Sequence, residues 1–211
     1  MRPPLLRVRP FVGAALQGAP DSCENSLSPR MVTPQTVRRK NIRLTREQYR
    51  GRRFYFVTIC CAHRRPFFVG SIRPQGFLQR LREAAAANAF AVRAYCLMPD
   101  HVHLLLEGLQ PSSDLVVLVN HLKASTAFDE KQRSGQALWQ RYFYDHVLRP
   151  GDSPEAVAGY IWMNPVRKGL CTRSEDYPFS GSFTDDWARW KRIERALWIP
   201  PWKSENPEGA A

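Results

Sequence analysis

From about residue 54 onward the apolar and polar positions fall into blocks of distinct spacing, and each block predicts an element. Phe54-Tyr55-Phe56-Val57-Thr58-Ile59-Cys60 is β-branched or aromatic almost throughout, the pattern of a buried strand. His63-Arg64-Arg65-Pro66 ends it in a basic loop. Gly76–Ala89, with Leu78, Leu81 and an alanine run, predicts a helix packed on a sheet. Ala91–Met98 predicts the next strand, Pro99-Asp100 a short turn, and His101–Glu107 a third strand. Tyr95–Met98 and His101–Glu107 should therefore pair as a hairpin. Ser112-Ser113-Asp114 caps a helix carrying Leu115, Leu118, Val119, Leu122 and Phe128, with His121 and Lys123 on or near its polar side. Ala137–Leu148, with Trp139, Tyr142, Phe143 and Tyr144, reads as a further strand or an irregular aromatic segment. Ser153 as N-cap, Pro154 at the first helical position and Glu155 in the first turn open a last helix. It runs through Tyr160 to about Asn164, where Pro165 discourages the helical conformation.

The order strand, helix, strand, strand, helix, strand, helix suits an α+β fold: a ferredoxin-like antiparallel sheet with helices on one face. Residues 1–36 are rich in Pro, Ala, Ser and Gly without sustained periodicity. They read as disordered, or as translation from a start set too far upstream, with Met31 an alternative start. Residues 37–183 form the predicted domain with a basic N-terminal arm, and 184–211 a C-terminal tail.

Charge sharpens this division. The chain carries a formal net charge of +12 and a pI near 10.0, which points to a polyanionic partner, nucleic acid first. Residues 1–53 hold 12 Lys and Arg against 3 Asp and Glu, whereas 54–211 hold 19 against 16. The excess sits in the leader, and Arg38, Arg39, Lys40 and Arg43 are the candidates for contact with a phosphate backbone. The five cysteines are odd in number and lack CxxC spacing, which suggests reduced thiols of a cytosolic protein. No stretch approaches the ~20 apolar residues needed to span a bilayer, and the short run Phe11–Leu16 does not make a secretory signal.

Alternation along the third strand puts His101, His103, Leu105 and Glu107 on one face, and Val102, Leu104 and Leu106 on the other, facing a core. Two imidazoles on one strand face can grip a divalent metal; they can equally be two half-buried sheet histidines. Tyr160 and Asn164, four residues apart, should project from one helix face, and a cation near that helix C-terminus would be favoured. Glu107 is a weaker alternative ligand, and His146 fits best as a member of an aromatic cluster.

Five stretches together resemble a known family. His101-Val102-His103 is similar to the His-hydrophobic-His signature of HUH endonucleases. Tyr160-Ile161-Trp162-Met163-Asn164-Pro165-Val166-Arg167-Lys168-Gly169-Leu170 resembles the tyrosine helix of single-tyrosine transposases, especially the REP-associated branch. Tyr55–Cys60, Leu138–His146 and Asp176–Ser180 agree, in the family's order. The resemblance implies cleavage and rejoining of single-stranded DNA near hairpins, through a 5′-phosphotyrosine on Tyr160. It implies one Mg²⁺ or Mn²⁺ held by His101, His103 and Asn164, where many relatives carry Gln in place of the Asn. Imidazole ligands make Mn²⁺ the tighter binder. Lys123, Arg141 and Arg167 are candidates for further phosphate contacts. The implied partner is hairpin-bearing single-stranded DNA of the nucleoid, met in the cytoplasm by a monomer or homodimer.

Other classes fit less well. A nucleotide hydrolase with a His-x-His-x-His strand would need an imidazole where Leu105 stands, and a zinc deaminase would need His-x-Glu and Pro-Cys-x-x-Cys. A catalytically idle, domesticated hairpin-binding regulator is the alternative from outside enzymology.

Overall fold

The computed structural model describes residues 45–184 and 198–200. Five strands form one antiparallel sheet in the order β4-β1-β3-β2-β5. They are β1 (Phe54–Cys60), β2 (Phe90–Met98), β3 (His101–Gly108), β4 (Tyr144–Val147) and β5 (Ser180–Gly181). The helices are α1 (Ile72–Ala87), α2 (Leu115–Ser134), α3 (Pro154–Trp162) and the single turn α4 (Asn164–Arg167).

β1 and β3 are central and buried on both faces, as their near-continuous apolar composition requires. On one face Tyr55, Val57, Ile59, Val102, Leu104 and Leu106 pack against Phe77 and Leu81 of α1 and Leu115, Leu118 and Leu122 of α2. Burying one such Leu is worth roughly 1.5–3 kcal/mol, so this layer supplies most of the fold's cohesion. On the other face Phe56, Leu105, Ala94, Cys96 and Met98 meet Val157, Ala158, Ile161 and Trp162 of α3. The α+β antiparallel layout stands. The one-sided helical layer holds for α1 and α2, while α3 lies across the sheet, on the face that bears the histidines.

A bulge between Val92 and Ala94 lets β2 serve both layers: Val92 faces the α1–α2 side, and Ala94 and Cys96 face α3. The Pro99-Asp100 turn joins β2 to β3 as predicted and is tied to the loop after β1. The Pro99 carbonyl accepts from the Phe67 and Phe68 N–H groups, and the Asp100 carbonyl from Cys61 N–H.

Helix ends differ from the sequence reading in instructive ways. α1 begins at Ile72 rather than Gly76, because Pro74 falls in the first turn, where a missing N–H costs nothing. α2 is capped by Asp114, whose side chain accepts from Val116 and Val117 N–H, and it ends at left-handed Gly135. Phe128, expected on its apolar face, is 63% exposed, since the buried stripe Leu115, Leu118, Leu122, Thr126 and Glu130 turns away from it. Of Ala137–Leu148 only Tyr144–Val147 becomes strand, with Trp139 buried and bridged to Cys61. α3 starts at Ser153 and Pro154 as predicted but stops at Trp162, and Asn164 opens a separate turn.

Cys60, Cys61 and Cys96 are buried free thiols, and burial raises all three pKa values, that of Cys61 to about 12. They are packing groups. No helix among the described residues is long and apolar enough to cross a membrane. Arg38, Arg39, Lys40 and Arg43 lie outside the described residues, as do the leader 1–36 and most of the 184–211 tail.

Candidate active site

The antiparallel register lines up three rows across the α3 face: Cys60, His101 and Met98; Thr58, His103 and Cys96; Phe56, Leu105 and Ala94. The turn end of the sheet therefore presents His101 and His103 among apolar neighbours. Their Nε2 atoms converge to 3.1 Å. Each ring is oriented from behind. Asp100 Oδ1 lies 2.6 Å from His101 Nδ1, and Thr58 Oγ1 lies 2.8 Å from His103 Nδ1. Phe56 stacks on His103 with ring centres 5.5 Å apart.

Burial pushes the His101 pKa below its ordinary value, Asp100 opposes that shift, and the Arg64 and Lys168 charges add to it. Burial alone would raise Asp100, but its His101 and Arg64 partners outweigh that and hold it below the usual carboxylate range. Arg64 Nη1 donates to the other carboxylate oxygen at 3.1 Å. Arg64, Asp100 and His101 form one oriented chain.

This pair suits a divalent cation. With Nδ1 of each ring engaged by Asp100 or Thr58, the two Nε2 atoms are turned toward each other, the arrangement in which an outer carboxylate or hydroxyl fixes a ligating imidazole. Two donors about 2.1 Å from one ion stand about 3.0 Å apart at an octahedral right angle and about 3.4 Å apart at a tetrahedral one. The observed 3.1 Å sits nearer the octahedral spacing. Among the described residues no cluster of three His, Cys, Asp or Glu side chains could hold a metal, so among these residues a third protein donor would be of another type. Glu107, the weaker candidate, is taken by Arg93 at 2.6 Å.

Tyr160 reaches this site from α3. Its ring centre is 6.5 Å from that of His103 and 6.1 Å from that of Phe56, in edge-on geometry. Trp198 closes the other side, 5.2 Å from Tyr160 and 5.4 Å from Phe56. His146 lies opposite Phe56 on β4, 6.1 Å from Trp198 and 3.4 Å from Asp152 Oδ2, and so belongs to the aromatic group.

Asn164 is buried, and its placement follows from its neighbour. Pro165 has no N–H to give the Ile161 carbonyl, so α3 breaks. Asn164 Nδ2 fills the gap, donating to the Tyr160 carbonyl at 3.0 Å and the Ile161 carbonyl at 3.2 Å. With the amide nitrogen so used, Oδ1 is the atom left for a cation. Tyr160 and Asn164 are thus coupled across a helix break instead of sharing one continuous helix face.

The remaining candidates separate. Arg167 packs on Tyr160 itself, its guanidinium 4.2 Å from the ring centre. Arg141 is exposed and stacks on Tyr142 at 5.3 Å. Lys123 is an anchor: Nζ donates to the Gln140 and Arg141 carbonyls at 2.8 and 3.0 Å, from the helix layer opposite the histidines. Sequence reasoning did not assign Thr58, Asp100 or Trp198. Thr58 was detectable as the one polar residue in an apolar strand, on the alternation that faces His103.

Residues 52–163 match the family described as IS200-like transposases, slightly more than half of the chain and including both histidines and Tyr160. The protein belongs to that family. Among IS200-like relatives, a Haemophilus influenzae protein provisionally named as a REP-associated tyrosine transposase is 24% identical over 142 residues, 62% of this chain and 80% of its own. The REP-associated tyrosine transposase of Escherichia coli K12 is 24% identical over 107 residues, 47% of this chain and 63% of that protein. A solved structure of a REP-associated tyrosine transposase bound to a REP hairpin superposes with a TM-score of 0.54 at 20% identity, over 72% of this chain and 86% of that one. At that identity the likeness establishes the fold. The family expected from the sequence is therefore borne out. Asn164, Arg167 and β5 lie beyond the matched segment.

Proposed function

We propose that this IS200-like transposase is a metal-dependent single-stranded DNA transesterase of the HUH class, cutting and rejoining DNA beside hairpins through Tyr160. The observation that carries the reading is the approach of the Tyr160 ring to His103, within a site whose two imidazoles converge at Nε2.

The Tyr160 phenolic oxygen bonds to a backbone phosphorus, and the bond from phosphorus to the 3′-oxygen breaks. The 3′-oxygen leaves as a hydroxyl, taking up the equivalent of the phenolic proton, and the 5′ end stays on the protein as a phosphotyrosine. One phosphodiester replaces another, so the step runs backwards when a 3′-hydroxyl returns. His101, His103 and Asn164 Oδ1 would hold one Mg²⁺ or Mn²⁺, whose contribution when bound is Lewis-acid polarisation of the phosphate. Asp100 and Thr58 keep both imidazoles turned with Nε2 inward. Phe56 and Trp198 flank the tyrosine ring in edge-on contact.

The fold shared with a REP-associated tyrosine transposase bound to a REP hairpin supports hairpin-bearing DNA as the partner. Incubation of the full chain with a labelled hairpin oligonucleotide and Mn²⁺ tests the reading. A covalent protein–DNA band that needs both the metal and Tyr160 supports it. Binding without any covalent band would favour an idle, domesticated regulator.

A further inference from the structure

We infer that Arg167 is a positioning residue for the tyrosine nucleophile, gripping its ring and its main chain, and is not a contact for the DNA backbone. The inference rests on Tyr160 as the attacking residue. Arg167 Cζ lies 4.2 Å from the Tyr160 ring centre, and Nη2 donates a 2.6 Å hydrogen bond to the Tyr160 carbonyl. One side chain therefore holds the same residue at two points, seven positions away in sequence.

The grip follows from the helix break. Pro165 deprives the Ile161 carbonyl of its backbone donor, and Asn164 Nδ2 turns back to the Ile161 and Tyr160 carbonyls. The short turn Asn164–Arg167 then carries the guanidinium over the ring. Asn164 and Arg167 both bond the Tyr160 carbonyl, so the proposed ligand and the ring clamp share one anchor.

A planar guanidinium can stack on an aromatic face and donate in its own plane at once, which a lysine ammonium does not do equally well. Burial lowers the Arg167 pKa from its ordinary value, while Tyr160 and Cys96 oppose that shift. An arginine remains charged regardless. What the contact provides is orientation: an attacking atom misplaced by about 1 Å can cost on the order of 100-fold in rate. Trp198 and Phe56 pack on the ring in edge-on contacts, and Arg167 adds a cationic contact to the ring and a hydrogen bond to its main chain.

The test uses full-length protein and two independent readouts. In DNA-free protein labelled with 3-fluorotyrosine, the Tyr160 fluorine resonance is assigned by its loss in Tyr160→Phe. Arg167→Gln should shift and broaden that resonance, and Arg167→Lys should do so less. An unchanged resonance in Arg167→Gln overturns the inference whatever the activity shows. In single-turnover adduct formation with a saturating hairpin oligonucleotide and Mn²⁺, Arg167→Gln should lose roughly 10- to 100-fold in rate with an unchanged Kd. Methylguanidinium should restore part of the rate to Arg167→Ala. A weaker Kd with a log–log salt slope reduced by about 0.7, at unchanged saturated rate, would make Arg167 a phosphate contact instead. Equal losses in Gln and Lys variants, with lowered melting temperatures and no rescue, would make its role merely structural. If Tyr160→Phe still forms the adduct, the nucleophile assignment fails separately, and the fluorine result still reports the contact itself.

Discussion

Thr58 Oγ1 lies 2.8 Å from His103 Nδ1, across the β1–β3 register that pairs the two residues directly. A hydroxyl oxygen can accept from Nδ1–H, so Thr58 can hold His103 in the tautomer whose Nε2 is free of a proton and turned inward. Thr58→Val keeps the shape and removes this bond. Mn²⁺ affinity should fall roughly 10-fold or more, as for other orienting partners, with stability changed by only about 1 kcal/mol. Calorimetric titration decides it, and an unchanged affinity would leave Thr58 as packing.

The histidines themselves should matter more. His101→Ala and His103→Ala each remove one of the two converging Nε2 donors. Both variants should lose measurable Mn²⁺ binding and metal-dependent cleavage while remaining folded. Wild-type affinity in both would return them to ordinary sheet histidines.

Asp114 caps α2 and accepts from Arg50 at 3.0 Å. Burial would raise its pKa, but the Arg50 hydrogen bond and the Val116 and Val117 N–H groups outweigh this and hold it below the ordinary carboxylate value. A depressed folded pKa stabilises the fold above the unfolded pKa of about 3.9, and the gain is lost as pH falls through the folded value. Asp114→Ala should cost about 1–2 kcal/mol in urea unfolding at pH 7, and the charge-dependent share of that cost should shrink below pH 4. A cost that is independent of pH would assign the whole effect to the uncharged cap.

Deleting residues 1–45 removes Arg38, Arg39, Lys40 and Arg43 and leaves the histidine strand and Tyr160 in place. If those four contact phosphates, the log–log salt slope of DNA binding should change by about 3, since each contact contributes roughly 0.7 to 0.9. The adduct rate at saturating DNA should survive. Identical slopes in the two proteins would mean that the arm is solvated charge and would move the DNA surface to the sheet loops, with Arg64 first in line.

The sequence made the sheet and its chemistry legible where periodicity was clean. β1, the hairpin and the face assignment of His101 and His103 follow from alternation alone, because a one-residue slip would bury the imidazoles in the α1–α2 core. The Ser153-Pro154 start of α3 was equally plain. Its end was not, because the Asn164 side chain replaces the donor that Pro165 lacks, a tertiary detail without periodic signature. The side of the sheet on which α3 packs depends on the path of the chain, and amphipathicity does not encode it. Trp198 was visible as a residue but not as a neighbour of Tyr160, since nothing local marks a contact across 38 positions.

If the Tyr160 phenolic oxygen forms the covalent bond to DNA, its phenylalanine variant loses the adduct. Full-length wild-type and Tyr160→Phe proteins, incubated with labelled hairpin DNA and Mn²⁺ and separated under denaturing conditions, test it most directly. Wild type should give a covalent band and Tyr160→Phe none, with equal DNA affinity for both, since only the hydroxyl is removed and the ring still packs against Phe56 and Trp198. An undiminished band in Tyr160→Phe would contradict it and pass the role to Tyr142 or Tyr144, the exposed tyrosines of the β4 segment.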